Sequence, residues 1–272
     1  MLLNRLPTLR LIPAILLSLL TVSASAEEGD TPSAGTQREL FQVAEHRAFV
    51  IMPKDEFRKE GPVPWIWYAP TLGDVYPRQQ EYWMFNHFLK EGIAIAGIDA
   101  GESFGSPKGS ALFQKLYQEL TQKRSFGPKP VLLARSRGGL MLYNWAVDHP
   151  DSVGGIAGIY PVCNLASYPG LKRAAPAYEM TEQELQKNLT TYNPIDRLTR
   201  LAKSKVPIFH IHGDIDKVVP LEANSAELAK RYKSLGGPIE LEVVKGQGHN
   251  LWEGWFHSER LTKFVIQHAT QK

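Results

Sequence analysis

The chain has 272 residues, of which 43% are hydrophobic and 22% are charged, and its formal net charge at pH 7 is +3. This near-neutral balance excludes the strongly basic surface of proteins that bind nucleic acids or anionic membranes. The length suits one large domain with a sizeable core, and the single cysteine, Cys163, excludes an internal disulfide.

The first 26 residues are typical of a secretory signal peptide. Arg5 and Arg10 give a positive start, residues 11–20 are apolar, and a small-residue cleavage site ends at Ala26. The alternative is an uncleaved anchor, but the apolar run is much shorter than the ~20 residues of a membrane-spanning helix. We therefore expect an exported protein, periplasmic or secreted, with no stable membrane insertion after cleavage.

Residues 27–40 are polar and lack periodicity, which predicts a flexible leader to a single domain over 41–272. In that domain, short apolar runs alternate with longer amphipathic segments, and several of the runs are apolar throughout. This pattern predicts an α/β domain with a mostly parallel central sheet and helices on both faces. The predicted strands are 48–52, 63–68, 93–98, 131–134, 155–160, 206–211 and 239–244, and the predicted helices are 78–91, 109–123, 138–149, 221–235 and 258–268.

The segment 164–205 is longer than a plain crossover between parallel strands and carries three prolines. It forms either a small cap over the strand ends or irregular helices packed on the surface. The sequence leaves these two alternatives open.

Residues 134–138 follow a predicted strand and precede a predicted helix, which is the context of a nucleophile elbow. This tight turn lifts a serine above the sheet edge and needs small residues two positions before and after it. Ala134 and Gly138 meet that need, although the usual residue at the first position is glycine. Ser136 is the candidate nucleophile.

Two further motifs follow predicted strands, at the edge where parallel sheets gather functional residues. Asp214 and Asp216 come after 206–211, and His249 comes after 239–244. An imidazole can take the proton of a serine hydroxyl, and a carboxylate behind it orients the ring. We predict His249 as the base and Asp216 as the acid; Asp214, directly after the strand, more naturally caps a turn. His212 is predicted to be structural.

A developing oxyanion needs hydrogen-bond donors. The N–H of Arg137, directly after the nucleophile, is the first candidate, and Thr71 is the backbone candidate from the loop after 63–68 because Pro70 has no N–H. The hydroxyl of Tyr68 is a side-chain alternative, although a buried core Tyr68 is about as plausible.

Three side chains near these motifs are candidates for substrate binding, namely Tyr68, Arg135 and Trp252. Arg135 can bind a substrate carboxylate or form an ordinary ion pair with Glu102 or another acid. Trp252, close to His249, can line an acyl or sugar pocket or anchor the last helix. No metal or organic cofactor is expected.

With these motifs placed, the chain resembles an α/β-hydrolase, and within that superfamily the catalytic domain of the prolyl oligopeptidase family and its esterase relatives. The resemblance rests on 136–139, the His212-to-Pro220 motif, 248–249 and the glycine-rich 101–105, in the order serine, aspartate, histidine. It implies a serine hydrolase. The chain has no room for the N-terminal β-propeller of many family members, and no His-Gly-Gly motif precedes the oxyanion loop.

The leading interpretation is a carboxylic ester hydrolase that acts through an acyl-enzyme on Ser136, on a small ester or an acylated carbohydrate. The alternative is a prolyl oligopeptidase-like peptidase for small peptides that uses the same residues. A non-catalytic binding module is a third interpretation, which the complete set of triad residues argues against. The sequence does not define the acyl and alcohol specificity or the oligomeric state.

Overall fold

The structure is a computed structural model, and it describes residues 32–73 and 77–271. The predicted signal peptide lies outside these residues. The described residues form one eight-stranded sheet in the order β1-β2-β4-β3-β5-β6-β7-β8. The β1/β2 and β2/β4 pairs are antiparallel and the others are parallel, so the predicted mostly parallel sheet is confirmed. The strands are β1 (Glu39–Val43), β2 (His46–Ile51), β3 (Trp65–Ala69), β4 (Ala94–Ile98), β5 (Val131–Arg135), β6 (Gly155–Ile159), β7 (Ile208–Gly213) and β8 (Ile239–Val244).

Helices cover both faces of this sheet. The α-helices are α1 (Tyr82–Lys90), α2 (Pro107–Gln118), α3 (Gly138–Asp148), α4 (Leu171–Ala174), α5 (Glu182–Lys187), α6 (Leu189–Tyr192), α7 (Thr199–Lys203), α8 (Glu227–Ser234) and α9 (Glu259–Ala269). Two hydrophobic clusters result, because alternate side chains of a strand point to opposite faces. In β3, Trp65 and Trp67 belong to the cluster that includes side chains of α2, α3 and α8, whereas Ile66 and Tyr68 belong to the cluster that includes side chains of α1 and α9.

The N-terminal edge of the sheet differs from the prediction. Residues 32–40, assigned to a flexible leader, are packed: Ala34 is buried, Gly35 pairs with Pro53 in a β-bridge, and β1 begins at Glu39. The strand Glu39–Val43 was missed because an edge strand with one solvated face carries polar residues that resemble a linker. The domain therefore begins earlier than the predicted residue 41.

The segment 164–205 lies between β6 and β7 and contains α4 to α7. It forms a hydrophobic cluster with Phe104 and with Leu140 in the first turn of α3, and the Tyr178 hydroxyl donates to the Phe104 carbonyl at 2.9 Å. The segment is thus a packed helical layer beside the N-terminal end of α3. In the described part of the chain, no helix combines the length and the apolar character that a bilayer crossing requires.

Candidate active site

Ser136 occupies a sharp turn between β5 and α3. Its φ of 50° lies in the left-handed region, which a non-glycine residue adopts only at a cost in backbone energy. Hydrogen bonds hold the turn: the Ser136 N–H donates to the Ile159 carbonyl at 3.0 Å, and the Ser136 carbonyl accepts from the Val162 N–H at 2.8 Å. The predicted elbow is therefore present, and β6 fixes its backbone.

The elbow packs against the end of β3 with no space for a side chain at Gly138. A methyl group on Gly138 would lie 2.1 Å from the Ala69 carbonyl oxygen, and one on Gly139 would lie 2.3 Å from that of Val162. Ala134, two residues before the serine, is fully buried at the end of β5. The structure thus gives a steric reason for the small residues around Ser136.

His249 follows β8 and lies between the serine and an aspartate. Its Nε2 is 2.9 Å from the Ser136 Oγ, and its Nδ1 is 2.8 Å from the Asp216 Oδ2. Because a carboxylate only accepts, Nδ1 carries the proton and Nε2 accepts from the serine hydroxyl. The three predicted residues, each on a loop after a different strand, therefore form one continuous chain of hydrogen bonds.

Asp216 is buried, with 6% of its surface exposed. Its Oδ1 accepts from the backbone N–H groups of Val218 and Val219 at 2.9 and 2.8 Å. Burial raises the pKa of Asp216, but the His212 and His249 rings and the Val219 N–H outweigh burial and hold this pKa well below its usual range. The carboxylate thus stays charged behind His249.

The two neighbouring candidates have the structural positions that the sequence predicts. Asp214 Oδ1 accepts from the Gly246 N–H at 2.6 Å, so it ties the loop after β7 to the loop after β8. His212 is fully buried, with Nε2 at 2.8 Å from the Val219 carbonyl oxygen. Neither side chain takes the place of Asp216 behind His249.

The two oxyanion candidates belong to the two segments that pack together at Gly138, the start of α3 and the chain after β3. Arg137 is the residue that caps α3, so its position is at a helix N-terminus, where backbone N–H groups have no acceptor inside the helix. Thr71 is buried two residues after Ala69, whose carbonyl packs on Gly138, and it forms a β-bridge with Asp99. Their roles as donors to an oxyanion stay predictions.

Tyr68 and Arg135 share a partner that the sequence did not indicate. The Tyr68 hydroxyl donates to Glu81 Oε1 at 2.7 Å, and the Arg135 guanidinium pairs with the same carboxylate. Tyr68 and Glu81 are each 1% exposed. Burial raises the pKa of Tyr68 well above its usual value, so its hydroxyl stays protonated and serves Glu81.

This cluster decides between the alternatives that the sequence leaves open for Tyr68 and Arg135. Tyr68 is a core residue, and its hydroxyl is not placed to contact a substrate or an oxyanion, because it is buried and donates to Glu81. Arg135 forms an ion pair instead of offering a free guanidinium, with 19% of its side chain exposed. In the sequence, only its position at a helix start distinguishes Glu81. An arginine at the end of a buried strand implies that some acid pairs with it, but does not say which acid.

Arg137 forms a second ion pair at the site, with Glu102 of the loop after β4. Beside this pair, a cleft of about 320 Å³ is lined by residues that include Glu102, Ser103 and Ser106. The glycine-rich loop 101–105 therefore connects the residue after the nucleophile to an open cleft.

Tyr160 packs against the His249 ring, and two tryptophans lie near it in the loop after β8. The Tyr160 ring centroid is 4.4 Å from that of His249, and the Tyr160 hydroxyl donates to the Asn250 carbonyl at 3.2 Å. Trp255 is buried, and its indole N–H donates to Asn250 Oδ1 at 2.9 Å. The ring centroid of Trp252 lies 5.3 Å from that of Trp255, and Trp252 is 41% exposed. Trp255 thus anchors the loop, and Trp252 lies at the rim. The sequence motifs do not single out Tyr160, although its position at the carboxyl end of the predicted strand 155–160 was the available signal.

Across residues 32–73 and 77–271, no group of three or more histidine, cysteine, aspartate and glutamate side chains is arranged to hold a metal ion. Cys163 is buried, and burial raises the pKa of its thiol well above the usual value.

Comparison with solved structures shows the fold. The chain is similar to dipeptidyl peptidase 4 of Porphyromonas gingivalis, with a TM-score of 0.67, 15% identity, and coverage of 85% of this chain and 35% of that chain. It is also similar to Est1E of Butyrivibrio proteoclasticus, with a TM-score of 0.64, 18% identity, and coverage of 87% of this chain and 100% of that chain.

A curated relative from Synechocystis sp., provisionally named a non-heme chloroperoxidase, is 33% identical over 66 residues. This match covers 24% of the present chain and 22% of that relative. The chain thus spans about a third or less of the dipeptidyl peptidase and of the Synechocystis protein.

The model of the prolyl oligopeptidase family matches residues 118–270, which is more than half of the 272 residues and includes Ser136, Asp216 and His249. The eight-stranded, mostly parallel sheet agrees with the α/β-hydrolase fold of the solved structures. The chain therefore belongs to the prolyl oligopeptidase family of α/β-hydrolases.

Proposed function

We propose that the chain hydrolyses small carboxylic esters through an acyl-enzyme on Ser136. The observation that carries this proposal is the unbroken chain of hydrogen bonds from Ser136 Oγ through His249 to Asp216, at 2.9 and 2.8 Å. A serine hydroxyl becomes an effective nucleophile when an adjacent base accepts its proton during attack. This geometry supplies such a base and the carboxylate that orients it.

In the first step, Ser136 Oγ bonds to the ester carbonyl carbon while its proton passes to His249 Nε2. The resulting tetrahedral oxyanion collapses, the alcohol leaves with the proton from His249, and an acyl-Ser136 ester remains. Water then repeats the sequence: His249 takes a proton from water, hydroxide adds to the acyl carbon, and Ser136 leaves with that proton. Asp216 stays ionised throughout and stabilises the imidazolium.

The N–H of Arg137 is the proposed first donor to the oxyanion, since it follows the nucleophile at the start of α3. Thr71 is the proposed second donor, since it lies two residues after Ala69, the end of β3, whose carbonyl packs on Gly138. Donors of this kind are worth about 3–4 kcal/mol each to the transition state in other serine hydrolases.

Two features support an ester as the substrate. Est1E is matched over its whole length, whereas the matched dipeptidyl peptidase is covered over 35% of its length. In addition, the exposed ring of Trp252 at the rim of the site offers an apolar face to a small acyl or sugar group. Both features favour a small acyl or acylated-sugar substrate.

A panel of p-nitrophenyl esters, acetylated sugars and aminoacyl amides tests this proposal. We expect turnover of short acyl esters by the wild-type protein and none above background by Ser136→Ala. Turnover of aminoacyl amides with a kcat/KM above that of every ester would reject the ester assignment. That result would leave the serine nucleophile in place.

A small-peptide hydrolase is the second candidate, because the family match and the dipeptidyl peptidase 4 structure point to peptide substrates. The same triad can cleave an amide if His249 protonates the leaving amine. Dipeptide p-nitroanilides in the same panel separate the two candidates directly.

We further propose that the protein is exported and that its signal peptide is cleaved after Ala26, because residues 24–26 follow the short apolar run. Expression of the full chain in a bacterium, followed by N-terminal sequencing, tests this. We expect the mature protein to begin at Glu27 and to lie outside the cytoplasm, whereas a cytoplasmic protein that begins at Met1 would contradict export.

A further inference from the structure

A buried row of polar side chains runs from α3 to the loop that holds Asp216. The Tyr143 hydroxyl is 2.7 Å from His210 Nε2, and His210 Nδ1 is 3.0 Å from the Ser225 Oγ. The same Ser225 Oγ is 2.8 Å from His212 Nδ1, and His212 Nε2 is 2.8 Å from the Val219 carbonyl oxygen. Both histidines and Ser225 are fully buried.

The far end of this row determines where the protons lie. A carbonyl oxygen only accepts, so His212 Nε2 carries a proton. In neutral His212, Nδ1 then accepts from the Ser225 hydroxyl, and Ser225 accepts in turn from His210 Nδ1. His210 Nε2 is left to accept from the Tyr143 hydroxyl. Every hydrogen bond in the row thus has a donor and an acceptor, and both rings have a single allowed tautomer.

The same end of the row belongs to the loop that holds Asp216. Val219, whose carbonyl accepts from His212, donates its own N–H to Asp216 Oδ1 at 2.8 Å. His212 Nε2 is also 3.6 Å from Asp216 Oδ2, the oxygen that accepts from His249. The His212 ring therefore restrains the turn 216–219 and directs a positive N–H edge toward the catalytic carboxylate.

We propose that His212 is a positioning residue that holds Asp216 in line with His249, and that Ser225 and His210 fix the proton of His212 on Nε2. This inference rests on the proposed hydrolytic role of Ser136, His249 and Asp216. With the proton on Nδ1 instead, the lone pair of His212 Nε2 would face the Val219 carbonyl and the Asp216 carboxylate, and both would repel it. The turn 216–219 would then shift, and a small displacement of a catalytic group has a large effect on rate.

The surroundings favour a neutral His210 ring. Tyr143 from α3, Ser225 from the turn before α8 and Asp216 face the two histidines, and Cys163 and Tyr232 lie close to Tyr143. Burial, together with the nearby His212, lowers the pKa of His210 to about 3, so this ring is neutral at the pH of hydrolysis. Burial also raises the pKa of Tyr143 well above its usual value, which keeps its hydroxyl a donor.

Fluorophosphonate labelling of Ser225→Ala tests the inference. This variant removes both the donor to His212 and the acceptor for His210, and we expect a second-order labelling rate at least about tenfold below that of the wild type. Thr262→Val is the matched control, since it removes a buried hydroxyl of α9 that makes no hydrogen bond to a described residue. We expect this control to label within about twofold of the wild type.

Nitrogen-15 spectra of histidine-labelled protein report the tautomer of His212, which does not depend on the overall stability of the protein. In the wild type at neutral pH we expect a neutral His212 with its proton on Nε2, assigned by loss of the signal in His212→Gln. A cationic His212, or one with its proton on Nδ1, would overturn the inference, as would a Ser225→Ala variant that labels like the wild type.

A second pair of variants decides the matter if Ser225→Ala does not fold. Glutamine places an amide near the position of the His212 Nε2, whereas leucine places none there. We expect His212→Gln to keep a labelling rate at least about tenfold above that of His212→Leu, and equal rates would overturn the inference. Failure of the wild type itself to label would reject the proposed hydrolytic function, which is a separate result.

Discussion

Two aspartates, separated by one residue on the loop after β7, have different partners. Asp216 accepts from His249 Nδ1, whereas Asp214 accepts from the Gly246 N–H. The sequence allows this distinction because Asp214 directly follows the strand and is placed to cap a turn. Only Asp216 is in position to set the tautomer of His249.

The difference between the two aspartates predicts unequal effects on rate. Asp216→Asn should lower kcat by about 10⁴-fold, because an amide behind the ring favours the wrong tautomer. Asp214→Asn removes a turn contact and should change kcat by less than about tenfold. Steady-state ester hydrolysis measures both, and a larger loss in Asp214→Asn than in Asp216→Asn would reassign the catalytic acid.

Glu81 is the residue whose role the sequence conceals most fully, because its partner Arg135 is 54 positions away. Glu81→Gln should lower the free energy of unfolding by about 3 kcal/mol, since it leaves the largely buried Arg135 without a counter-charge. The double variant Glu81→Gln with Arg135→Met should recover much of that loss. Urea denaturation measures the cycle, and strictly additive losses would show that the pair does not interact.

At the scale of elements, the elbow depends on the contact between the start of α3 and the end of β3. The sequence predicts this turn because strand, small residues and helix follow each other over 131–149. It does not predict the partners of the turn, since the Ala69 and Val162 carbonyls reach it only through the folded sheet.

This contact predicts the effect of a single methyl group. Gly138→Ala should lower the free energy of unfolding by about 1–3 kcal/mol and slow labelling of Ser136, because the methyl would collide with the Ala69 backbone. Gly127→Ala is the matched control, since its methyl would meet only the Val63 carbonyl oxygen at 3.5 Å. Equal unfolding free energies in the two variants would contradict a close-packed elbow.

Element boundaries show where sequence patterns lose information. The strand Ile239–Val244 is observed with the predicted limits, whereas β1 escaped prediction because Glu39 and Gln42 interrupt its apolar side chains. Periodicity identifies strands buried on both faces more readily than an edge strand with one polar face. For 164–205, the sequence indicated length and prolines but not the contact with Phe104 and Leu140.

At the scale of the whole molecule, buried His210 links stability to pH. Unfolded His210 gains a proton as the pH falls below its ordinary pKa of 6.5, whereas the folded pKa is about 3. Between these values the unfolded state binds more protons, so the free energy of unfolding falls on acidification by up to about 1.4 kcal/mol per pH unit.

Replacement of His210 should remove that dependence. In His210→Leu, the slope of unfolding free energy against pH between 6.5 and 3 should be smaller than in the wild type by about 1.4 kcal/mol per pH unit. Urea denaturation at a series of pH values measures the slopes. Equal slopes would mean that His210 already carries a proton in the folded protein.

The central claim for the whole molecule is that Ser136, His249 and Asp216, from three separate loops, act as one nucleophilic unit. The most direct test is mass spectrometry of the protein after treatment with a fluorophosphonate, followed by peptide mapping. We predict one covalent adduct, located on Ser136 and absent from Ser136→Ala. An unmodified wild type, or equal modification of Ser136→Ala, would contradict the claim.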